Sequence, residues 1–225
     1  MYDAPKEFFV EAVLADYEAY DRVRRNRVAG ASNDLRLATH STASLFHLAD
    51  HVFNTYKGQP EIFNCWSLRD YHTYLIGKCP DFELVRDCAN AHKHKSLTRG
   101  NPSLISADSM AEIIVLTEYQ DEKGPYRIAT KEIHVKVNHR PVRCMHEILL
   151  NVRGMWFDEL NRIGIWEKKK IKASRHRIPK RQSDDGSARL DFRIIRGLSF
   201  KQTIILKKYT PEKRVAEVVD LSRHR

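Results

Sequence analysis

Nowhere in the 225 residues do about 18 apolar residues run together, so a membrane-spanning helix is excluded. Cysteine is scarce. Cys65, Cys79, Cys88 and Cys144 form no CxxC pair, which argues against a zinc or disulfide framework and for reduced thiols. The chain lacks a glycine-rich phosphate loop, a GxSxG elbow and any prominent pair of carboxylates. Dinucleotide redox chemistry, NTP hydrolysis and acyl transfer therefore have no support, and no cofactor is expected. The opening Met1-Tyr2-Asp3-Ala4-Pro5-Lys6-Glu7 is acidic and lacks the basic-then-apolar order of a signal peptide. The expectation is a cytoplasmic protein that does not engage membranes.

What the chain has is a segregated charge. Residues 1–165 carry 21 Lys+Arg and 22 Asp+Glu, whereas residues 166–225 carry 18 and 7. The whole formal excess of +10 thus resides in the last stretch. A localised basic segment is an electrostatic footprint for a polyanion, most often nucleic acid. A solubilising tail is the plainer reading. With 42% hydrophobic residues there is enough apolar material for a real core.

Apolar periodicity predicts helices first. Phe8, Phe9, Ala12, Val13, Tyr17, Tyr20 and Val23 recur at helical spacing over 4–27. A second helix, from about 32 to Lys57, places Ala38, Leu45, Leu48, Ala49, Val52, Phe53 and Tyr56 on one arc. A third starts at Ser67, with Asp70 completing a variant capping box. The fourth runs from Asp81, read as an N-cap, to about Leu97.

The period then changes. Residues 111–119 and 126–137 suit two strands of a hairpin around Asp121-Glu122-Lys123-Gly124. A fifth helix over about 142–161 carries the stripe Met145, Ile148, Leu149, Val152 and Trp156. Residues 167–188 look like a basic linker. Three strand-like runs follow, at 189–196, 200–209 and 214–221, expected to pack on the first hairpin or on a partner. The expected fold is α+β: a helical bundle (1–100), a β-hairpin and helix packed on it (101–166), the linker, and a basic β-rich appendage (189–225).

One segment concentrates the chemistry: Val85-Arg86-Asp87-Cys88-Ala89-Asn90-Ala91-His92-Lys93-His94-Lys95. At 100° per residue Arg86, Asn90 and Lys93 form a polar stripe, while His92 points toward the apolar side. Such a stripe could handle phosphate. Arg86 would clamp it bidentately, Asn90 and Lys93 would add contacts, and His92 or His94 would move protons near neutral pH. The bland alternative is a solvated helix face with one satisfied core histidine.

The run from Arg86 to His92 resembles the Rx4–6H signature of the HEPN family of helical nucleotide-binding and RNase domains, over about residues 5–98. The resemblance implies a metal-independent endoribonuclease of the toxin or phage-defence kind, acting on RNA where two copies of the motif meet in a homodimer. It makes Arg86 and His92 the catalytic pair. The segment Asn90-Ala91-His92-Lys93-His94 also looks like an Asn-Ala-x-Lys-His pattern of uncharacterised bacterial and phage proteins, in which His94 would be the key histidine.

Two other features stand out. His40, His47 and His51 share a stripe on the second helix, and His47 and His51 have the i,i+4 spacing of metal ligands. Position 48 is Leu rather than the Glu of a zincin, so a polar helix face, or one joining the Arg86 patch, is the simpler reading, and no metal is expected. Lys169, Lys170, Arg175, Arg177, Lys180 and Arg181 crowd the linker and would contact phosphates without sequence specificity. A non-catalytic nucleic-acid-binding protein, or an accessory subunit docking an acidic protein through this segment, is the competing expectation.

Overall fold

The computed structural model describes residues 4–26, 33–59, 62–93, 102, 107–138, 142–167, 204–210 and 215–218. It is an α+β protein, as the change of period at residue 110 predicts. The chain divides into two compact units that do not follow chain order.

Among the described residues the long helices lie in the first unit. A helical stretch opens as α1 (Pro5–Phe8), passes through a π-helical segment (Phe9–Leu14) and continues as α2 (Ala15–Asn26). The π segment interrupts what the sequence presents as one regular helix. It is a local widening that apolar spacing does not encode. Next come α3 (Asn33–Tyr56), α4 (Leu68–Lys78), α5 (Asp81–Lys93) and, after the hairpin, α6 (Met145–Arg162).

The predicted apolar faces are largely the buried ones: Phe9, Val13, Leu45, Leu48, Val52, Ile148, Val152 and Trp156 are fully buried in one core, with Leu75, Phe82 and Val85, whereas Ala12, Val23, Phe53 and Tyr56 are half-buried. Trp156 lies at its centre, and its indole N–H donates to the Leu45 carbonyl at 3.0 Å. Behind it, Glu159 accepts from the hydroxyls of Tyr71 (3.4 Å) and Tyr74 (3.1 Å) and from Arg162 (2.7 Å). This buried carboxylate pins α4 to α6 with its charge compensated, the condition on which a buried charge is tolerated.

Helix starts are only partly as expected. Ser67 does cap α4: its hydroxyl oxygen accepts the Asp70 N–H at 3.1 Å and its O–H donates to the Asp70 carboxylate at 2.8 Å. Asp81 does not serve as the cap of α5. Its buried carboxylate instead accepts Arg143 at 3.1 and 3.0 Å and Asn151 at 2.7 Å. A cation and an amide from β3 (Arg143–Cys144) and α6 outcompete the local backbone for it. The Cys79 sulfur faces the N–H groups of Asp81 and Phe82, and a backbone bond from Phe82 to the Cys79 carbonyl (2.9 Å) starts the helix.

Strand β1 (Met110–Asp121) begins in the first unit and β2 (Gly124–Val135) ends in it, while Glu112–Glu132, the rest of the hairpin, belongs to the second. In the first unit Met110, Ile133 and Val135 join the helical core, and β3 pairs antiparallel with the end of β2. In the second unit the strand order is β2-β1-β4-β5, with β4 at Ile204–Thr210 and β5 at Val215–Val218. The hairpin turns at Gly124, whose φ of +106° suits a residue without a Cβ. β4 runs parallel to β1, with Ile114 opposite Ile204 and Glu118 opposite Lys208, and β5 returns antiparallel. The expectation that the second C-terminal run packs on the hairpin thus holds at 204–210. The run at 189–196 lies outside the described residues. A small second core gathers Tyr119, Ile128 and Tyr209, with Tyr119 stacked on Tyr126 at 5.5 Å between ring centroids.

Candidate functional site

Arg86 leaves α5 with its guanidinium held on one side. Its Nε donates to Asp87 Oδ1 at 2.9 Å, its Nη2 lies 2.8 Å from the same oxygen, and Glu83 Oε1 is 3.4 Å away. Asp87 is almost wholly buried, while Arg86 keeps about a quarter of its side chain exposed. The arginine is therefore fixed in orientation by a carboxylate beneath it, with an edge left for solvent. Asp87, which the wheel puts on the flank of the stripe, is in fact the anchor of that stripe. Asn90, one turn on, is half-buried.

The groove into which Arg86 opens runs between α4 and α5. It is open to solvent, has a volume of about 680 Å³, and is lined by Leu68, Arg69, His72, Thr73, Ile76 and Arg86. Two guanidinium groups, an imidazole and a hydroxyl thus share one apolar-floored cleft. The residues from α4 are not among those the sequence singled out. Their signal was present: Arg69, His72, Thr73 and Ile76 recur at helical spacing on the side of α4 opposite the buried Tyr71 and Leu75.

His72 packs against Phe46 and Phe82, with ring centroids 5.1 and 6.0 Å away. Its Nε2 is enclosed and has no hydrogen-bond partner among the described residues. Burial holds its proton affinity below the ordinary histidine value of 6.5. Arg86 pushes in the same direction and Asp50 opposes both. The imidazole is neutral near pH 7, the form a general base requires.

The histidine stripe on α3 divides. His40 is exposed. His47 Nδ1 lies 3.1 Å from Asp50 Oδ2. His51 stacks on Phe8 at 4.0 Å, and burial lowers its proton affinity too. Among the described residues the two ring nitrogens and the Asp50 carboxylate do not gather within the 4.8 Å that a metal would need. Asp50, the partner of His47, is near enough for its charge to favour the protonated form of His72 in the groove.

His92 and Lys93 lie on the last turn of α5, and their side chains fall outside the described residues. So do His94, Lys169, Lys170, Arg175, Arg177, Lys180 and Arg181 altogether.

The second unit has a groove of its own, about 580 Å³, lined by Glu118, Asp121 and Glu122 with Tyr119, Lys208 and Tyr209 among others. Three carboxylates against one lysine make it unsuited to phosphate. The cationic groove belongs to the helical unit.

No helix among the described residues is long and apolar enough to cross a membrane. No protein-family model matches the chain, and comparison with curated proteins and with solved structures gives no match either. Fold and site together define an α+β protein with a cationic, imidazole-bearing groove in its helical unit.

Proposed function

We infer that the protein is a metal-independent endoribonuclease whose phosphate-handling groove lies between α4 and α5. The observation that carries this reading is the meeting of Arg86 and His72, from two different helices, in one open cleft with Arg69. Arg86, held by Asp87 and Glu83 through Nε and Nη2, offers its Nη1 edge to a phosphodiester, and Arg69 adds a second positive charge. An imidazole takes the proton of a ribose 2′-hydroxyl as its oxygen attacks the adjacent phosphorus. The bond from phosphorus to the 5′-oxygen breaks, and that oxygen is protonated as it leaves. His72 is the imidazole in the groove, and with Nε2 enclosed it would take the proton on Nδ1. His92 and His94 are those the family resemblance nominates. Arg86, with Asn90 and Lys93 further along the helix, stabilises the charge that builds on the phosphoryl oxygens.

The test uses purified protein with a chelator present and a mixed-sequence RNA. Cleavage should persist in chelator and vanish in Arg86→Ala, which should still retain RNA. Separate His72→Ala, His92→Ala and His94→Ala variants then assign the proton-transfer group. Wild-type protein that cleaves nothing sinks the reading.

The charge segregation favours a second reading, in which the basic C-terminal segment alone binds nucleic acid or docks an acidic partner, with no catalysis. The 18 Lys+Arg against 7 Asp+Glu over 166–225 are its support. Salt-sensitive RNA binding that disappears on deleting 167–225, without any cleavage, decides for it.

A further inference from the structure

Trp66 is 93% exposed, whereas Trp156 is fully buried. Trp166 is half-buried, packed edge-on against Phe9 and Phe157 at 5.4 and 5.6 Å. Trp66 therefore contributes almost nothing to the core. Its backbone is nonetheless fixed. On one side Phe63 is buried and Cys65 packs against the core. On the other, Ser67 is the capping residue of α4. Two and three residues further on, Leu68 and Arg69 already line the cationic groove. A large planar π-surface is thus held out to solvent just before the N-terminus of α4, two residues along the chain from the first residue that lines the cleft of Arg69, His72 and Arg86.

Isolated apolar residues on a surface are ordinary. This one is the largest aromatic side chain, on a tethered backbone, beside positive charge. Stacking on an aromatic ring combined with cations that follow the phosphates is how unpaired nucleic acid strands are held. A paired duplex keeps its internal bases stacked on each other and offers Trp66 a face only at its ends. We propose that Trp66 and the α4–α5 groove form a binding site for single-stranded nucleic acid, with a base stacked on Trp66 and the adjoining phosphate on Arg69 and Arg86. This rests on the groove being the nucleic-acid site, but not on its being catalytic.

The full chain is titrated with a ten-nucleotide single-stranded RNA and with the matching duplex, at one fixed salt concentration, while tryptophan fluorescence is followed. The single strand should quench a red-shifted, solvent-exposed component, and the duplex should quench it far less. Trp66→Phe should lose that quenching and keep most of the affinity. Trp66→Ala should weaken binding at least about fivefold, the low end of one lost base stack. Because the side chain is exposed, circular dichroism and thermal midpoint should be unchanged in both variants. Unchanged affinity in Trp66→Ala, equal quenching by duplex, or no binding of the single strand overturns the proposal. Quenching and selective binding without RNA cleavage leaves this site standing and removes the nuclease reading. Cleavage that is indifferent to Trp66→Ala does the reverse.

Discussion

Arg86 and Asp87 are neighbours in sequence and partners in space, the buried carboxylate of one lying 2.8 Å from the guanidinium of the other. Consecutive helical residues ordinarily point about 100° apart. Here the arginine folds back over its own helix to reach an acid that the core has enclosed. This fixes the cation at the groove without neutralising its outer edge.

Asp87→Asn should show what that bracing is for. The amide keeps the shape but not the charge, and a hydrogen bond to a charged group contributes about 1.5–3 kcal/mol. Urea denaturation should report a loss of that order. RNA cleavage should fall while retention of RNA is preserved or strengthened, because a positive charge has been freed of its counter-charge.

Asp81 joins three elements, accepting from Arg143 and Asn151 at 2.7–3.1 Å while starting α5. Asp81→Ala should cost about 1–3 kcal/mol, since it removes the acceptor shared by the partly exposed Arg143 guanidinium and the Asn151 amide. Asp81→Asn should cost less. Chemical denaturation of the three proteins side by side gives the ranking, and an alanine variant as stable as wild type would refute the bracing role.

Trp156 fills the centre of the helical core and donates to the Leu45 carbonyl. Trp156→Ala should destabilise by about 3–5 kcal/mol, combining lost transfer energy with the cavity left behind. Trp156→Phe should lose distinctly less. Calorimetric midpoints of the two variants check both the magnitude and the order.

Acid should weaken the fold through His72 and His51, both of which burial holds below the usual value of 6.5. The native protein binds these protons less readily than the unfolded chain. Their effect is absent well above pH 6.5 and grows as pH falls from there toward their native values. Asp50 partly offsets burial at both rings. Hence His72→Gln should flatten the fall in urea midpoint between pH 7.5 and 5.5, and Asp50→Asn should steepen it.

Much of the fold could be read along the chain. The apolar arcs of α3 and α6, the capping of α4 by Ser67, and the hairpin around Gly124 all rest on spacing and local backbone chemistry. These are short-range quantities, so the sequence carries them openly. The pairing of β1 with β4 was foreseeable only as a choice between this hairpin and a partner. A parallel pair has no turn signature, because its strands are joined by a long crossover.

The candidate site was half legible. Arg86 and Asn90 announced themselves by crowding on one helix. His72 and Arg69 showed only as the outward face of a predicted helix, and Trp66 as one residue before it; that this face meets α5 follows from packing alone. What the sequence determined by itself is which residues go inside, where helices and strands start, and where positive charge accumulates, since those follow from periodicity and composition. Only the tertiary structure decided that Asp81 would bind Arg143 instead of capping, that Asp87 would brace Arg86, and that α4 would supply the imidazole of the groove. Those outcomes depend on competition between partners dozens of residues apart, and distance along the chain does not encode which partner wins.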